Sequence, residues 1–266
     1  MMRLKDKVAV VTGGGKGIGR TISLAFASEG ATVVMAARSL SHLEQTAEEI
    51  LSRNGKVLNI QTDVSNEKQV QQMVAKTLRE FGQIDILVNN SGIIGPVASV
   101  VDMKLDAWNE TLAINLTGTM LCSREALRHM IPRRRGTIIN IGSEGGRGGD
   151  GRTGRPMRSA YSCSKMGIIG LTETMAVEVG EYGIRVNAIS PAAVSGERGN
   201  IHLKRRAQAM GISQDELKSK IAMNYSLGRI VEESEVASVA VFLASNEASA
   251  MTGQVIAVNC GHHIIF

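Results

Sequence analysis

Short, almost unbroken apolar runs rich in Val and Ile alternate with longer amphipathic stretches along nearly the whole chain, and this alternation leaves few folds open. The runs fall at residues 7–12, 32–37, 56–61, 84–89, 137–141, 184–189 and 254–258. Helical spacing covers residues 17–29, 41–53, 67–81, 105–130, 160–182 and 232–245 between them. A strand that is apolar on both faces needs cover on both sides, and intervening helices supply it. Right-handed crossovers then predict an α/β, three-layer, doubly wound sheet of parallel strands. No linker, internal repeat or low-complexity tract breaks the pattern, so one domain over 1–266 is expected. Residues 143–159 and 191–214 read as irregular. Both follow strand C-terminal ends, where such sheets bind ligands. The first is expected as a substrate loop, and about 192–214 as a lid that gates solvent.

The turn after the first run reads Thr12, Gly13, Gly14, Gly15, Lys16, Gly17, Ile18, Gly19. Gly13 can turn the chain tightly, while Gly17 and Gly19 let backbone approach a pyrophosphate. The helix start adds free N–H groups and partial positive charge. This is not a triphosphate loop, because Gly17 follows Lys16 where that motif needs Ser or Thr. The second run ends Ala36, Ala37, Arg38, Ser39. NAD-favouring enzymes usually place a carboxylate here for the ribose 2′-hydroxyl. Arg38 instead suits a 2′-phosphate, with Lys16 as a second cation. NADP(H) is therefore favoured, with NAD(H) still open. Arg38 alone could equally cap a strand end in solvent.

Bulk properties narrow the function classes. No stretch of about 18 apolar residues exists, so no membrane span is expected. The net charge of +5 is mild. Nucleic-acid binding is not expected, because the basic run at 133–135 lacks flanking aromatics for stacking. Cys122, Cys163 and Cys260 have no metal-ligand spacing, and no metal is expected. A sparse, odd set of cysteines fits a reducing cytoplasm. His262 and His263 are adjacent, and such pairs seldom hold an ion unaided; a packed or subunit-contacting tail is expected.

Taken with Asp63 and Val64 after the third run, Asn89, Asn90, Ser91 and Gly92 after the fourth, Asn115, Ser143, Tyr161 to Lys165, and Arg185 to Pro191, the glycine turn resembles that of the short-chain dehydrogenase/reductase family, in its compact single-domain branch. The likeness covers nearly the whole length. It implies a seven-stranded Rossmann-type sheet. By resemblance, Asp63 and Val64 border the adenine and Asn90 lines the cofactor cleft. Pro191 through Ser195, Val194 among them, lie beside the nicotinamide. It also implies a homodimer or homotetramer. Two departures stand out: Ser91 where the family often has Ala, and Ala192 after Pro191 where it often has Gly. The second leaves the cofactor contacts of that loop less secure than those of the glycine turn.

Tyr161 and Lys165 lie four apart and so share a helix face. Interconverting a carbonyl and an alcohol requires hydride at carbon and a proton at oxygen. A phenol ordinarily keeps its proton well above neutral pH, and a neighbouring ammonium favours the phenolate. At ~4 Å and an effective dielectric of ~20 that attraction is roughly 4 kcal/mol. Ser143, at a strand end, can hydrogen-bond the substrate oxygen. The resemblance gives Asn115 a water on the proton path, and Lys165 the ribose hydroxyls. Singly, each residue is ordinary packing; jointly, downstream of a dinucleotide turn, they read as catalytic. Cys163 is turned from their face and reads as packing. The expected substrate is a small carbonyl or alcohol compound. Residues 144–158 carry Arg147, Arg152, Arg155 and Arg158 against two acids, which suits an anionic substrate group; a solvated or subunit-contacting loop is the plainer reading. The competing functions are reduction of an activated C=C bond, and a non-catalytic dinucleotide-binding sensor or scaffold.

Overall fold

The computed structural model describes residues 2–144 and 156–262. Its first half runs β1 (Val8–Thr12), α1 (Gly17–Ser28), β2 (Thr32–Ala37), α2 (Leu40–Ser52), β3 (Lys56–Gln61), α3 (Glu67–Phe81) and β4 (Ile86–Asn89). Then come α4 (Leu105–Leu112), α5 (Gly118–Met130), β5 (Gly136–Ile141), α6 (Ser159–Val179), β6 (Ile184–Pro191), α7 (Glu197–Met210), α8 (Gln214–Ala222), α9 (Glu233–Ala244) and β7 (Val255–Val258). The seven strands form one sheet in the order β3-β2-β1-β4-β5-β6-β7. Every pairing is parallel. The strands are apolar on both faces because alternate residues feed two separate cores. Val11, Val33, Met35, Val88 and Ile139 face α1, α2 and α9. Val10, Val34, Leu87, Ile138 and Val186 face α3, α5 and α6. This is the three-layer, doubly wound fold that the alternation predicts.

Winding reverses between β1 and β4, which lie side by side although two strands separate them in sequence. Beyond their C-terminal ends the connecting segments lead to opposite faces of the sheet, which leaves a cleft at such a reversal. Helix ends follow local chemistry. Asn66 caps α3 by accepting from the Gln69 N–H, and Gly82 closes it at φ 70°.

Two expectations need correction. The single helix expected over 105–130 is interrupted by a π-helical turn at Ala113–Thr117. Residues 191–214 are not irregular, since β6 reaches Pro191 and α7 fills most of the remainder. The signal was thin because α7 packs mainly on α8 rather than on the sheet. Leu203, Ala207 and Leu217 form a small cluster of their own, with Ile212 and Ile221 beside it. So few apolar positions leave a weak helical period.

At the opposite end of the strands, just before the central β4, Asp85 is only 4% exposed. It accepts from the Val8 N–H at 2.9 Å and from Arg133 and Arg135 at 3.0 and 2.8 Å. Asp85→Ala strands a buried amide and two guanidinium groups. We expect a loss of roughly 2–3 kcal/mol in folding stability, read as a lower urea midpoint at unchanged slope.

Candidate active site

The glycine turn is built by close approach of main chain to main chain. Gly13, at φ +67°, leaves β1 and donates its N–H to Ala36 O at 2.7 Å. A Cβ on Gly19 would lie 2.2 Å from Gly13 O and 2.3 Å from Asn90 Nδ2. One on Gly15 would lie 2.8 Å from the carbonyl carbon of His42. No side chain fits at either position. The turn is held from β4: Asn90 Nδ2 donates to Thr12 O at 2.9 Å, and the Asn90 and Ser91 N–H groups donate to Thr12 Oγ1 at 3.0 and 3.1 Å. Asn90, expected in the cleft wall, thus directs its amide into the turn. Thr12 is the functional partner missed from the sequence; it stood in the motif without a role. α1 begins at Gly17, and Lys16 before it gives no side-chain cap. Its first amides are therefore available to an anion.

Lys16 and Arg38 are both exposed and have no ion-pair partner among the described residues. Ser39 precedes α2, its Oγ 3.1 Å from Ser41 Oγ. Asp63 Oδ1 accepts from the Ser65 N–H and Oγ at 3.0 and 2.6 Å. Val64 is buried, and a Cβ on Gly118 would come within 2.8 Å of its Cγ2. These residues lie along the ends of β1, β2 and β3. The glycine cradle, the free helix start and the flanking cations fit a phosphorylated dinucleotide.

Across the β1/β4 reversal, α6 carries Tyr161 and Lys165. Lys165 is 5% exposed. Its Nζ donates to Ile141 O, at the end of β5, at 2.7 Å and lies 5.9 Å from the centre of the Tyr161 ring. Asn115 sits in the π-helical turn and is fully buried. Its Oδ1 accepts from the Ile93 N–H at 2.8 Å, while Nδ2 donates to Ile93 O at 2.9 Å and to Ser164 Oγ at 3.0 Å. Asn115 and Lys165 converge on Gly92, where a Cβ would lie 3.1 Å from Asn115 Oδ1 and 3.8 Å from Lys165 Nζ. Ser143 is braced on either side, by Gly142 N–H to Ile189 O at 2.8 Å and Glu144 N–H to Pro191 O at 2.9 Å. Glu144 is itself buried, although a carboxylate in a glycine-rich loop is expected in solvent.

Behind the site runs a buried polar ladder. Asn89 Nδ2 donates to Ser123 Oγ and to Asn140 Oδ1, each at 2.9 Å, and Asn140 Nδ2 donates to Thr172 Oγ1 at 2.9 Å. It ties β4 and β5 to α5 and α6. Residues 191–195 form the last wall. Ala192 N–H donates to Val258 O at 3.1 Å, Val231 N–H to Ala193 O at 3.0 Å, and Ser195 N–H to Val231 O at 2.7 Å. Cys163, expected to pack, is exposed, because it lies on the face of α6 turned away from the sheet. His262 stacks on Tyr225. Arg147, Arg152, Arg155 and His263 lie outside the described residues, as do the side chains of Glu197, Arg198, His202, Arg205 and Arg206. Arg158 is described and immediately precedes α6. Among the described residues, no three His, Cys, Asp or Glu side chains are grouped to hold a metal.

The dinucleotide cradle and the Tyr161–Lys165 pair, set on either side of one cleft, define a dinucleotide-dependent oxidoreductase. Comparison with known proteins names its kin. Residues 13–263 match the family model described as Enoyl-(Acyl carrier protein) reductase. The chain is 36% identical over 260 residues to the 3-oxoacyl-[acyl-carrier-protein] reductase FabG of Thermotoga maritima, covering 98% of this chain and 99% of that protein. An NAD+-bound xylitol dehydrogenase superposes with a TM-score of 0.90 at 30% identity, over 97% of this chain and 100% of the other. An actinorhodin polyketide ketoreductase solved with NADPH gives 0.90 at 30% identity, over 97% and 98%. The chain belongs to the short-chain dehydrogenase/reductase family. It is an NAD(P)-dependent oxidoreductase of carbonyl and alcohol groups. None of these proteins favours the non-catalytic sensor reading.

Gly19→Ala forces a methyl group into the Gly13 carbonyl and opens the turn. We expect dinucleotide affinity to fall at least about tenfold, measured by quenching of protein or cofactor fluorescence.

Proposed function

We propose that the protein interconverts a small carbonyl compound and its secondary alcohol with NADP(H), and that Tyr161 exchanges the proton at the substrate oxygen. The observation that carries this reading is the buried Lys165, held by Ile141 O with its ammonium 5.9 Å from the Tyr161 ring centre. Bound along the glycine turn, the dinucleotide supplies the hydride donor or acceptor. Tyr161 gives a proton to the oxygen in reduction and takes one in oxidation. The Ser143 hydroxyl steadies charge on the same oxygen. The side-chain amide of Asn115 is spent on Ile93 and Ser164. Its main-chain carbonyl accepts from Thr119 Oγ1 at 2.8 Å and keeps a second lone pair, which is the acceptor assigned to a water on the route from Lys165 to solvent. The three residues between Tyr161 and Lys165 favour carbonyl chemistry over reduction of an activated C=C bond, where related enzymes place more.

NADP(H) is preferred over NAD(H) because Ala37 leaves no carboxylate at the end of β2 and the exposed Arg38 and Lys16 can share a 2′-phosphate. Pro191 and Val194 flank the nicotinamide, and α7 with α8 forms the lid. The arginines of 144–158 are the sequence ground for an anionic substrate group. A homo-oligomer is supported by Cys163, Gly170 and Val177, seven apart and all exposed on one face of α6. Three free cysteines favour the cytoplasm.

The test is turnover on a panel of ketones with NADPH, followed by absorbance. Tyr161→Phe should lose about a thousandfold in kcat while binding cofactor within about twofold of the parent; substantial turnover in the variant would defeat the mechanism. Arg38→Glu should lower kcat/KM for NADPH roughly ten- to hundredfold relative to NADH. An unchanged ratio would remove the 2′-phosphate assignment.

A further inference from the structure

The turn at residues 191–195 is held chiefly by main-chain bonds, with two side-chain bonds beside them: Ser195 Oγ donates to the Glu232 carboxylate, and the second falls on the backbone itself. The Ala193 N–H is satisfied by a side chain: it donates to the hydroxyl of Tyr225 at 3.2 Å. Tyr225 comes from the segment after α8, 32 residues along the chain. It is only 5% exposed, an unusual depth for a phenol placed at the foot of a lid. Three contacts keep it there. Its ring stacks on His262, with centroids 4.5 Å apart and planes at 28°. The Leu227 N–H donates to Cys260 O at 3.1 Å, and Ser226 Oγ donates to Gly261 O at 3.1 Å. The chain beyond β7 therefore grips residues 225–227, and those residues reach the turn.

We propose that Tyr225 is a positioning residue for the cofactor-facing turn, and that the 259–262 segment holds Tyr225 in place. This rests on the reading of 191–195 as the nicotinamide wall. Tyr225 touches no reacting atom in that reading; it acts by fixing Ala193. The requirement follows from the sequence of the turn. Ala192 follows Pro191 where a glycine would give a freely adjustable backbone, and the bond from the neighbouring Ala193 N–H to the phenol adds a fixed geometry to the turn. The phenol oxygen supplies the acceptor. His262 limits the ring to one orientation, since stacked aromatic pairs favour a narrow range of offsets.

Tyr225→Phe in the full-length protein keeps the ring and its stack and removes only the oxygen. Hydrogen–deuterium exchange of peptides covering 191–195, without cofactor, should quicken about three- to tenfold, with the melting temperature within about 2 °C of the parent. The NADPH dissociation constant should rise by a similar factor. His262→Ala keeps the hydroxyl and removes the stack, and should move both readouts in the same direction by less. Unchanged exchange at 191–195 in Tyr225→Phe overturns the positioning role, whatever the cofactor result. Unchanged exchange in His262→Ala overturns the part assigned to the 259–262 segment. Should exchange quicken while cofactor affinity stays the same, Tyr225 orders the turn but does not tune cofactor binding, and the proposal fails in that form. If the parent protein binds neither NADPH nor NADH, the cofactor reading itself fails, and the exchange data still judge Tyr225.

Discussion

Thr12 and Asn90 hold together the one seam on which the rest of the molecule depends. β1 and β4 are neighbours in the sheet but belong to opposite windings of the chain. Their C-terminal ends would splay without a tie. The tie is made twice over: the Thr12 hydroxyl takes two amides from the β4 end, and the Asn90 amide returns to the Thr12 and Gly13 carbonyls. All are satisfied polar groups at the edge of a tightly packed interior, where an unmet one would be costly. The cofactor cradle and the Tyr161 helix therefore stand on a common base, and neither can shift without straining these bonds.

Behind that seam the protein spends polar side chains where apolar ones would pack more simply. Asn89, Asn140 and Thr172 cross the core as a ladder, and Asn115 closes another link between the β4 loop and α6. A hydrocarbon core would tolerate small slides of α6 along the sheet; directional hydrogen bonds in a low-dielectric interior do not. The π-helical turn at Ala113–Thr117 fits the same logic. Regular α-geometry would carry Asn115 to a different azimuth. The inserted residue aims it at Ile93 and Ser164 instead, a local distortion of a kind often kept at functional sites.

Strand positions, parallel pairing and layer count were legible because they rest on periodicity, which each strand displays separately. The glycine turn was legible at Gly13, Gly17 and Gly19, two of which have positive φ and the third no room for a side chain, whereas the close approach at Gly15 was not. Tyr161 and Lys165 were legible because a spacing of four on a helix fixes a shared face. The role of Thr12 was not, since a threonine at a strand end looks like any other until its partners on β4 are known. The π-helical turn was invisible for a similar reason: its sequence, Ala113 to Thr117, carries the same apolar spacing as a regular helix. The helix α7 was missed because its apolar side chains meet α8, an element too short to announce itself. Tyr225 was hidden by distance, as its partners lie 32 and 37 positions away on either side.

The separate cluster beneath α7 and α8 gives the molecule a loosely coupled annex. Leu203, Ala207 and Leu217, with Ile212 and Ile221 at the margin, join α7 to α8, and among the described residues none of them belongs to either layer of the main interior. Local opening at so small a cluster draws on a small fraction of the global folding energy. Movement of α7 and α8 therefore need not disturb the bonds that hold the sheet, the glycine turn and α6 together.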